Sequence, residues 1–573
     1  MNLSNLSKTT PARSIKNNGL RWLLLIVLGS IVLYPMLMLV YSSFLEGTPG
    51  QAGSLTLDGW RGAWGGGFLG SALVTTVRIV AVKVAIAMIL AISFAWIIGR
   101  TNTPMKGLLE TLLFAMWFTP TLPVIIAWII MASPRVGLLN KWLEPILPMS
   151  LNAYSYEAVV ILGAVNSAPI LFIFLLPAFR NMDASLEESA RMSGAGFFRR
   201  LWHITLPLML PAILSVTALI VILSFESFEV EVLLGLPAGL FVFTTRIFDL
   251  LYLQEVAQFG KATALAMALL GITLTLIIVQ RRILANREFT TITGKGYRPT
   301  PMDLGRWKWV TFSYVIGFFL IFGLLPLLIL FANSFMLVSG IISVDYFTLD
   351  NWREALTEDS IVTSIRNTLI LGAATATIGV VVVSVVSYVV TKTRIPWKGL
   401  AVLDIVVWLP IAVPGLVLAL GMLWAYVRFP IYNTLWIIVL AFLIRGLPTG
   451  SRFFVTTMVQ VSNELEESAR IHGASWARSF FNILLPLLRP AVISAWVFLF
   501  VLSVRQLDSA LILGGPKTQV LQVTIFQFAT RGSIEVASAL GLLQTVIVFL
   551  VYLLVRFVGG RGYLQNQSSR PNT

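Results

Sequence analysis

The chain has 573 residues, 57% of them hydrophobic and 12% charged, with a mean hydropathy of +0.86. That composition excludes an ordinary soluble globular fold and places the chain in a membrane. The absence of cysteine excludes disulfides, thiolate metal ligands and cysteine nucleophiles, and the net charge of +15 reads as basic cytoplasmic loops rather than as a nucleic-acid surface.

A helix needs roughly 20 apolar residues to cross the hydrocarbon core, and the sequence predicts twelve such spans. The first six are Trp22–Tyr41, Ala72–Ile98, Leu109–Met131, Ala158–Phe179, Pro207–Phe225 and Ala262–Val279. The run after Lys8, Arg13 and Lys16 is too long for a signal peptide and lacks a small-residue cleavage site, so it is expected to be a retained first helix. A polar segment, 281–308, rich in Arg with Gly294, Gly296, Pro299 and Pro301, reads as a cytoplasmic linker between segments 1–280 and 309–573. The second six spans are Val310–Phe331, Thr368–Val390, Leu400–Trp424, Leu435–Thr457, Leu487–Leu502 and Ala537–Phe557. Basic residues crowd the amino-terminal tail, the linker and the loop from Lys392 to Lys398, while the stretch from Phe331 to Ile365 is acidic. Both termini are therefore expected in the cytoplasm.

The two segments are copies of one another. Pro104-Met-Lys-Gly-Leu108 returns as Pro396-Trp-Lys-Gly-Leu400, 292 residues on, and Leu186-Glu-Glu-Ser-Ala-Arg191 returns as Leu465-Glu-Glu-Ser-Ala-Arg470, 279 residues on. Trp117 with Pro120 and Pro123 echoes Trp408 with Pro410 and Pro414, so the third and ninth spans are expected to break near mid-membrane. The fold expected is an all-α integral membrane protein with twelve transmembrane helices, in two homologous six-helix halves related by pseudo-twofold symmetry about the membrane normal.

One repeated loop carries the functional signal. It reads Glu188-Ser-Ala, three residues, Gly194, nine residues, Ile204-x-Leu206-Pro207, and again Glu467-Ser-Ala, Gly473 and Ile483-x-Leu485-Pro486 at the same spacing. Ser185 with Glu188, and Asn463 with Glu466, have capping-box spacing. Gly194 and Gly473 suit a left-handed helix stop, and the pairs Pro207/Pro211 and Pro486/Pro490 are expected to start or kink the next span. Such a unit is a short helix rigidly linked to a membrane helix.

This placement and spacing resemble the EAA motif of importer permeases of the ATP-binding-cassette superfamily, with Ser189 and Ser468 where alanine is usual. The resemblance implies that each short helix seats in a groove of a separate ATPase. The coupling residues would be Glu187, Glu188, Ser189, Ala190, Arg191 and Gly194 in one copy and Glu466, Glu467, Ser468, Ala469, Arg470 and Gly473 in the other. It further implies two ATPase copies holding the ATP and Mg, a periplasmic substrate-binding protein, a lipid surround and a bacterial inner-membrane location. No catalytic residue, cofactor, metal or nucleic acid is expected for this chain. Consistently, the sequence contains no GxxxxGK[ST] phosphate loop, since Gly514-Gly-Pro-Lys-Thr518 lacks the spacing.

Charges within or beside the spans are the candidates for a translocation path: Arg78, Lys83, Glu226, Glu229 and Glu231 in the first half, and Arg445, Arg505 and Asp508 in the second. Arg445 corresponds to Asn166, while Arg505 and Asp508 correspond to Glu226 and Glu229, so the opposite charges of Glu226 and Arg505 at matched positions offer a gate. A solvated position in the outer headgroup region is the other account of these charges. The stretches Ser224–Glu229, Leu233–Pro237, Ser503–Asp508 and Leu513–Pro516 resemble the fused permeases of ferric iron importers; related fused permeases serve thiamine or phosphonate. His203 and His472 are not equivalent positions and read as surface histidines. The competing class is an ion-coupled secondary transporter, which accounts for the duplication but not for the two matching loops.

Overall fold

The computed structural model describes residues 11–51, 53–143, 150–183, 185–285, 301–341, 344–392, 399–462 and 464–568. Much of the polar linker (286–300), the Pro396-Trp-Lys repeat and Asn463 lie outside the described residues. The described residues are all-helical, at 79% helix, because backbone in lipid must satisfy its own hydrogen bonds.

The first half comprises α1 (Pro11–Ser42), α2 (Phe68–Arg100), α3 (Lys106–Phe118), α4 (Thr121–Ala132), α5 (Tyr156–Asn181), α6 (Ser185–Met192), α7 (Phe197–Phe225) and α8 (Phe259–Ala285). The second comprises α9 (Trp307–Asn333), α10 (Asp359–Lys392), α11 (Leu400–Ala412), α12 (Gly415–Tyr426), α13 (Leu435–Gln460), α14 (Glu464–Ile471), α15 (Phe480–Leu487), α16 (Arg489–Arg505) and α17 (Ile534–Ser568). Among the described residues nine helices are long and apolar enough to cross a membrane, and twelve spans result if each of three bent pairs is one span.

Proline accounts for the two sharpest bends. Between α3 and α4 the axis turns by 94°, and between α11 and α12 by 112°. A residue preceding proline is pushed out of the helical region, and Thr119 before Pro120 and Val413 before Pro414 both take extended backbone. The third bend, 68° between α15 and α16, falls just before Pro490. Proline also sets four π-helical turns among the described residues: Leu201–Thr205, Glu231–Gly235, Leu320–Leu324 and Phe480–Leu484. Each ends two residues before a proline: Pro207, Pro237, Pro326 and Pro486. A proline ring collides with the carbonyl four residues back and cannot donate to it; widening that turn relieves both problems while the helix continues. Pro207 therefore does not start its span, as its position suggests, because α7 already runs from Phe197.

Compact packing divides the chain differently from the duplication. One unit gathers Met1–Ser54, Ser364–Val520 and Leu550–Thr573; the other gathers Leu55–Thr363 and Leu521–Phe549. Each unit thus takes the first span of the other sequence half, α1 in one and α9 in the other, and the second unit also takes the start of α17. In the first unit, α1 lies against α12, where Tyr34 donates to the Ala425 carbonyl at 3.3 Å and the bare Cα of Gly421 admits the Pro35 carbonyl. In the second unit, α9 packs Phe318 against Phe94 at 4.8 Å and stacks Phe322 on Trp128 at 5.5 Å. These borrowed spans are 28% buried, against 61% for α5 and 67% for α13, so α5 and α13 form the interior of their units.

Candidate functional site

The repeated loop begins where α5 and α13 stop. In the first copy Asp183 caps α6, its Oδ1 accepting the Ser185 backbone N–H at 2.9 Å. In the second the Ser462 hydroxyl accepts the Glu464 N–H at 3.2 Å. Asp183 and Ser462 are equivalent by the 279-residue offset, and in the first copy the cap stands ahead of the Ser185 position that the spacing suggested. The Ser185 bond and hydroxyl hold the Asp183 carboxyl below its ordinary range.

Both helices end in the same motif. Gly194 and Gly473 take φ of +77° and +83°, and the next residue donates five back, Ala195 to Ala190 at 2.9 Å and Ala474 to Ala469 at 3.0 Å. That is a Schellman stop, which requires the left-handed conformation glycine alone adopts at no steric cost. His203 Nδ1 faces the Arg199 carbonyl at 3.1 Å, and His472, just past α14, faces that of Ser468 at 2.8 Å.

The two adjacent glutamates of the motif part company. Glu187 is buried, receiving Arg100 Nη2 on one carboxylate oxygen and the Thr205 hydroxyl on the other, each at 2.5 Å. Arg100 closes α2 and also donates from Nη1 to the Met182 carbonyl at 3.1 Å. Glu188 is half-buried, and Ser189 and Arg191 are exposed. In the second copy Glu466 is half-buried and accepts the Tyr388 hydroxyl of α10 at 3.2 Å, while Glu467 and Ser468 are exposed. The Arg470 side chain lies outside the described residues. Outward from each helix stand matched apolar residues, Leu186 with Met192 (90% exposed) and Leu465 with Ile471 (83% exposed). The motif thus offers a fixed inner carboxylate and an outer face of mixed apolar and polar residues suited to a protein partner. Sequence reasoning grouped Glu187 with Glu188; the signal that separates them is Arg100, one helix end away in space but 87 residues away in sequence.

The charges proposed for a path are largely satisfied within their own units. Lys83 pairs with Glu231 at 3.1 Å, and Ser227 closes the triangle by accepting from Lys83 at 3.0 Å and donating to Glu231 at 2.7 Å. Lys83 and Glu231 are deeply buried, so this cluster is not a solvated headgroup position. Glu229 accepts from Gln522 at 3.1 Å, and Gln544 in turn donates to Gln522. Arg78 stacks on the Tyr156 ring, 5.9 Å from its centre. Glu226 and Arg505 terminate equivalent helices, α7 and α16.

In the second half Arg445 pairs with Asp508 at 3.3 Å over the first residue of α12, Gly415. A β-carbon at Gly415 would overlap Arg445 Nη1 and Asp508 Oδ2, and the Ser509 hydroxyl holds the Gly415 carbonyl at 3.0 Å. Glycine here lets an ion pair seal the broken helix. In the first half the Asn166 amide stands where Arg445 would, reached by the Thr121 hydroxyl at 3.4 Å. There the break opens a cavity of about 30 Å³ lined by Thr119, Thr121, Trp128, Asn166 and Phe322.

The chain matches the family described as binding-protein-dependent transport system inner membrane component over residues 91–287 and again over 388–561. It is 27% identical over 414 residues to the ferric transport system permease protein FbpB of Actinobacillus pleuropneumoniae, covering 71% of this chain and 59% of that protein. Against the putative ferric transport system permease protein FbpB 1 of Haemophilus influenzae it is 28% identical over 378 residues, covering 65% and 58%. The molybdenum transport system permease protein ModB of Escherichia coli is 31% identical over 149 residues, covering 26% of this chain and 64% of ModB. The chain spans less than three fifths of the length of the two FbpB proteins. A solved bacterial ABC transporter involved in the import of the acidic polysaccharide alginate matches at a TM-score of 0.36 and 18% identity, covering 44% of this chain and 96% of that one. Matched twice along its length, this chain belongs to the binding-protein-dependent transport system inner membrane components and carries their domain as a fused duplicate.

Proposed function

We propose that the chain forms the membrane path of an ATP-driven importer, taking a small solute from a periplasmic binding protein to the cytoplasm by alternating access. The observation that carries this reading is the pair of loops with the same Schellman stop, the same π turn and matched outward apolar residues, one in each half. Two such loops call for two ATPase subunits per chain, each binding ATP and Mg. The bent pairs count as single spans, which gives twelve helices in two halves about a pseudo-twofold axis, with both termini cytoplasmic in the inner membrane. Ferric iron is the cargo favoured, because two relatives covering about two thirds of this chain are named ferric transport permeases. Thiamine, phosphonate or another small solute is the second reading.

Reconstitution of the chain in vesicles with its ATPase and a loaded binding protein tests this. Uptake of radioactive iron that requires ATP and the binding protein supports the reading. Uptake driven by an ion gradient without the ATPase refutes it and favours a secondary transporter, and ATP-dependent uptake of another solute alters the cargo alone.

A further inference from the structure

The two coupling helices are copies in sequence but not in attachment. Glu187 of α6 reaches two membrane helices at once, Arg100 at the end of α2 and Thr205 in the π turn of α7. The equivalents of Arg100 and Thr205 are Lys392 and Leu484. Leucine has no hydroxyl to give, and lysine replaces a planar fork with a single ammonium. Lys392 donates to the Val461 carbonyl at 2.5 Å, and Glu466 is met by the Tyr388 hydroxyl. Tyr388 belongs to α10, so the hydrogen bond described for the second carboxylate reaches a single span, where that of Glu187 reaches two.

We infer that Arg100 and Thr205 are positioning residues which, through Glu187, clamp the first coupling helix to both neighbouring spans, leaving the second coupling helix the more compliant of the two. Charge-assisted hydrogen bonds are stronger than neutral ones and strongest when buried. A displacement of α6 is therefore passed to α2 and α7 together, whereas a displacement of α14 is partly absorbed within its loop. The consequence for transport rests on the coupling role proposed above; the difference in attachment does not.

Hydrogen exchange on the full chain in lipid nanodiscs, without partners, tests the attachment. Amides of 185–192 should exchange roughly tenfold more slowly than those of 464–471, the equilibrium equivalent of one charge-assisted bond. Thr205→Val should remove most of that difference, Thr205→Ser should keep it, and Leu484→Thr with Lys392→Arg should slow 464–471. Equal exchange in the parent chain, or identical behaviour of the valine and serine variants, overturns the inference. In vesicles with the ATPase, Thr205→Val should lower solute moved per ATP hydrolysed by severalfold while Leu484→Ala does not. An ATPase that fails to bind at all, with the exchange difference intact, counts against the proposed function and leaves the clamp standing.

Discussion

Arg100 and Lys392 hold equivalent places at the ends of α2 and α10, and each donates to the carbonyl that ends the interior span of its unit, Met182 for Arg100 and Val461 for Lys392. A basic side chain at a helix C-terminus is favoured by the partial negative charge of the unpaired carbonyls. In both halves the loop is thus anchored at its root before its helix begins.

The outer glutamates are expected to matter for partners and not for folding. Glu188→Lys with Glu467→Lys should abolish cargo-stimulated ATP hydrolysis, with thermal unfolding of the detergent-solubilised chain within a few degrees of the parent. Normal stimulation in the double variant removes these residues from the docking face. Glu187→Gln, in contrast, leaves Arg100 buried against a neutral partner and should lower the unfolding temperature.

Glycine stops should be irreplaceable by alanine. Gly194→Ala or Gly473→Ala forces a β-carbon into left-handed backbone at a cost of about 1–2 kcal/mol. The expected outcome is faster hydrogen exchange over the affected coupling helix and weaker ATPase stimulation, with Gly→Asn milder than Gly→Ala. Gly271→Ala in α8, where an added β-carbon meets nothing within 4 Å, is the control and should be neutral.

At the broken helix of the second half, Gly415→Ala should push the Arg445 and Asp508 side chains apart and lower the unfolding temperature, because its β-carbon takes the space their ion pair occupies. Arg445→Ala strands a largely buried carboxylate and should cost about 3–5 kcal/mol. Arg445→Ala with Asp508→Asn should recover part of that loss. Additive effects across the cycle, read from thermal unfolding, show that the pair is uncoupled.

Acid should loosen one loop before the other. The carboxyl of Asp183 is lowered by its bonds to Ser185, so its contribution is fully present above its unfolded pKa, about 3.9. It is lost as pH falls through the lower folded value. Ser462 does not titrate. Spin labels at Ser189 and Ser468 should report equal pH-independence from 5 to 8, then mobilisation at Ser189 alone in strong acid; Asp183→Asn should abolish that difference.

Native mass spectrometry of the assembled importer should find one copy of this chain with two ATPase subunits. Two copies of this chain in the functional unit would contradict the fused design.

Local chemistry was legible in the sequence. The duplication shows as self-similarity along the chain, and the proline breaks at Thr119 and Val413 and the stops at Gly194 and Gly473 follow from short-range backbone rules acting on a few adjacent residues. Long-range pairing was not. Nothing in the pattern around Glu187 points to Arg100 or Thr205, and Lys83 and Glu231, read as candidates for a path, find each other across 148 residues. In the first copy the cap lies two residues before the Ser185 that the spacing suggests, because the Asp183 carboxylate takes the Ser185 N–H. Helical periodicity tells which face of a span is apolar; it does not tell which neighbour that face meets.

The borrowing of α1 by the later spans has a consequence for biogenesis. Tyr34 meets Ala425 across 391 residues, so the first helix enters the bilayer long before its packing surface has been synthesised. It must wait in lipid, where an apolar span is stable alone, until α11 and α12 arrive, and such distant closure is slow. Neither sequence half contains the helices of a finished unit. Fragments 1–300 and 301–573, made separately, should therefore be short-lived alone and persist only when co-expressed.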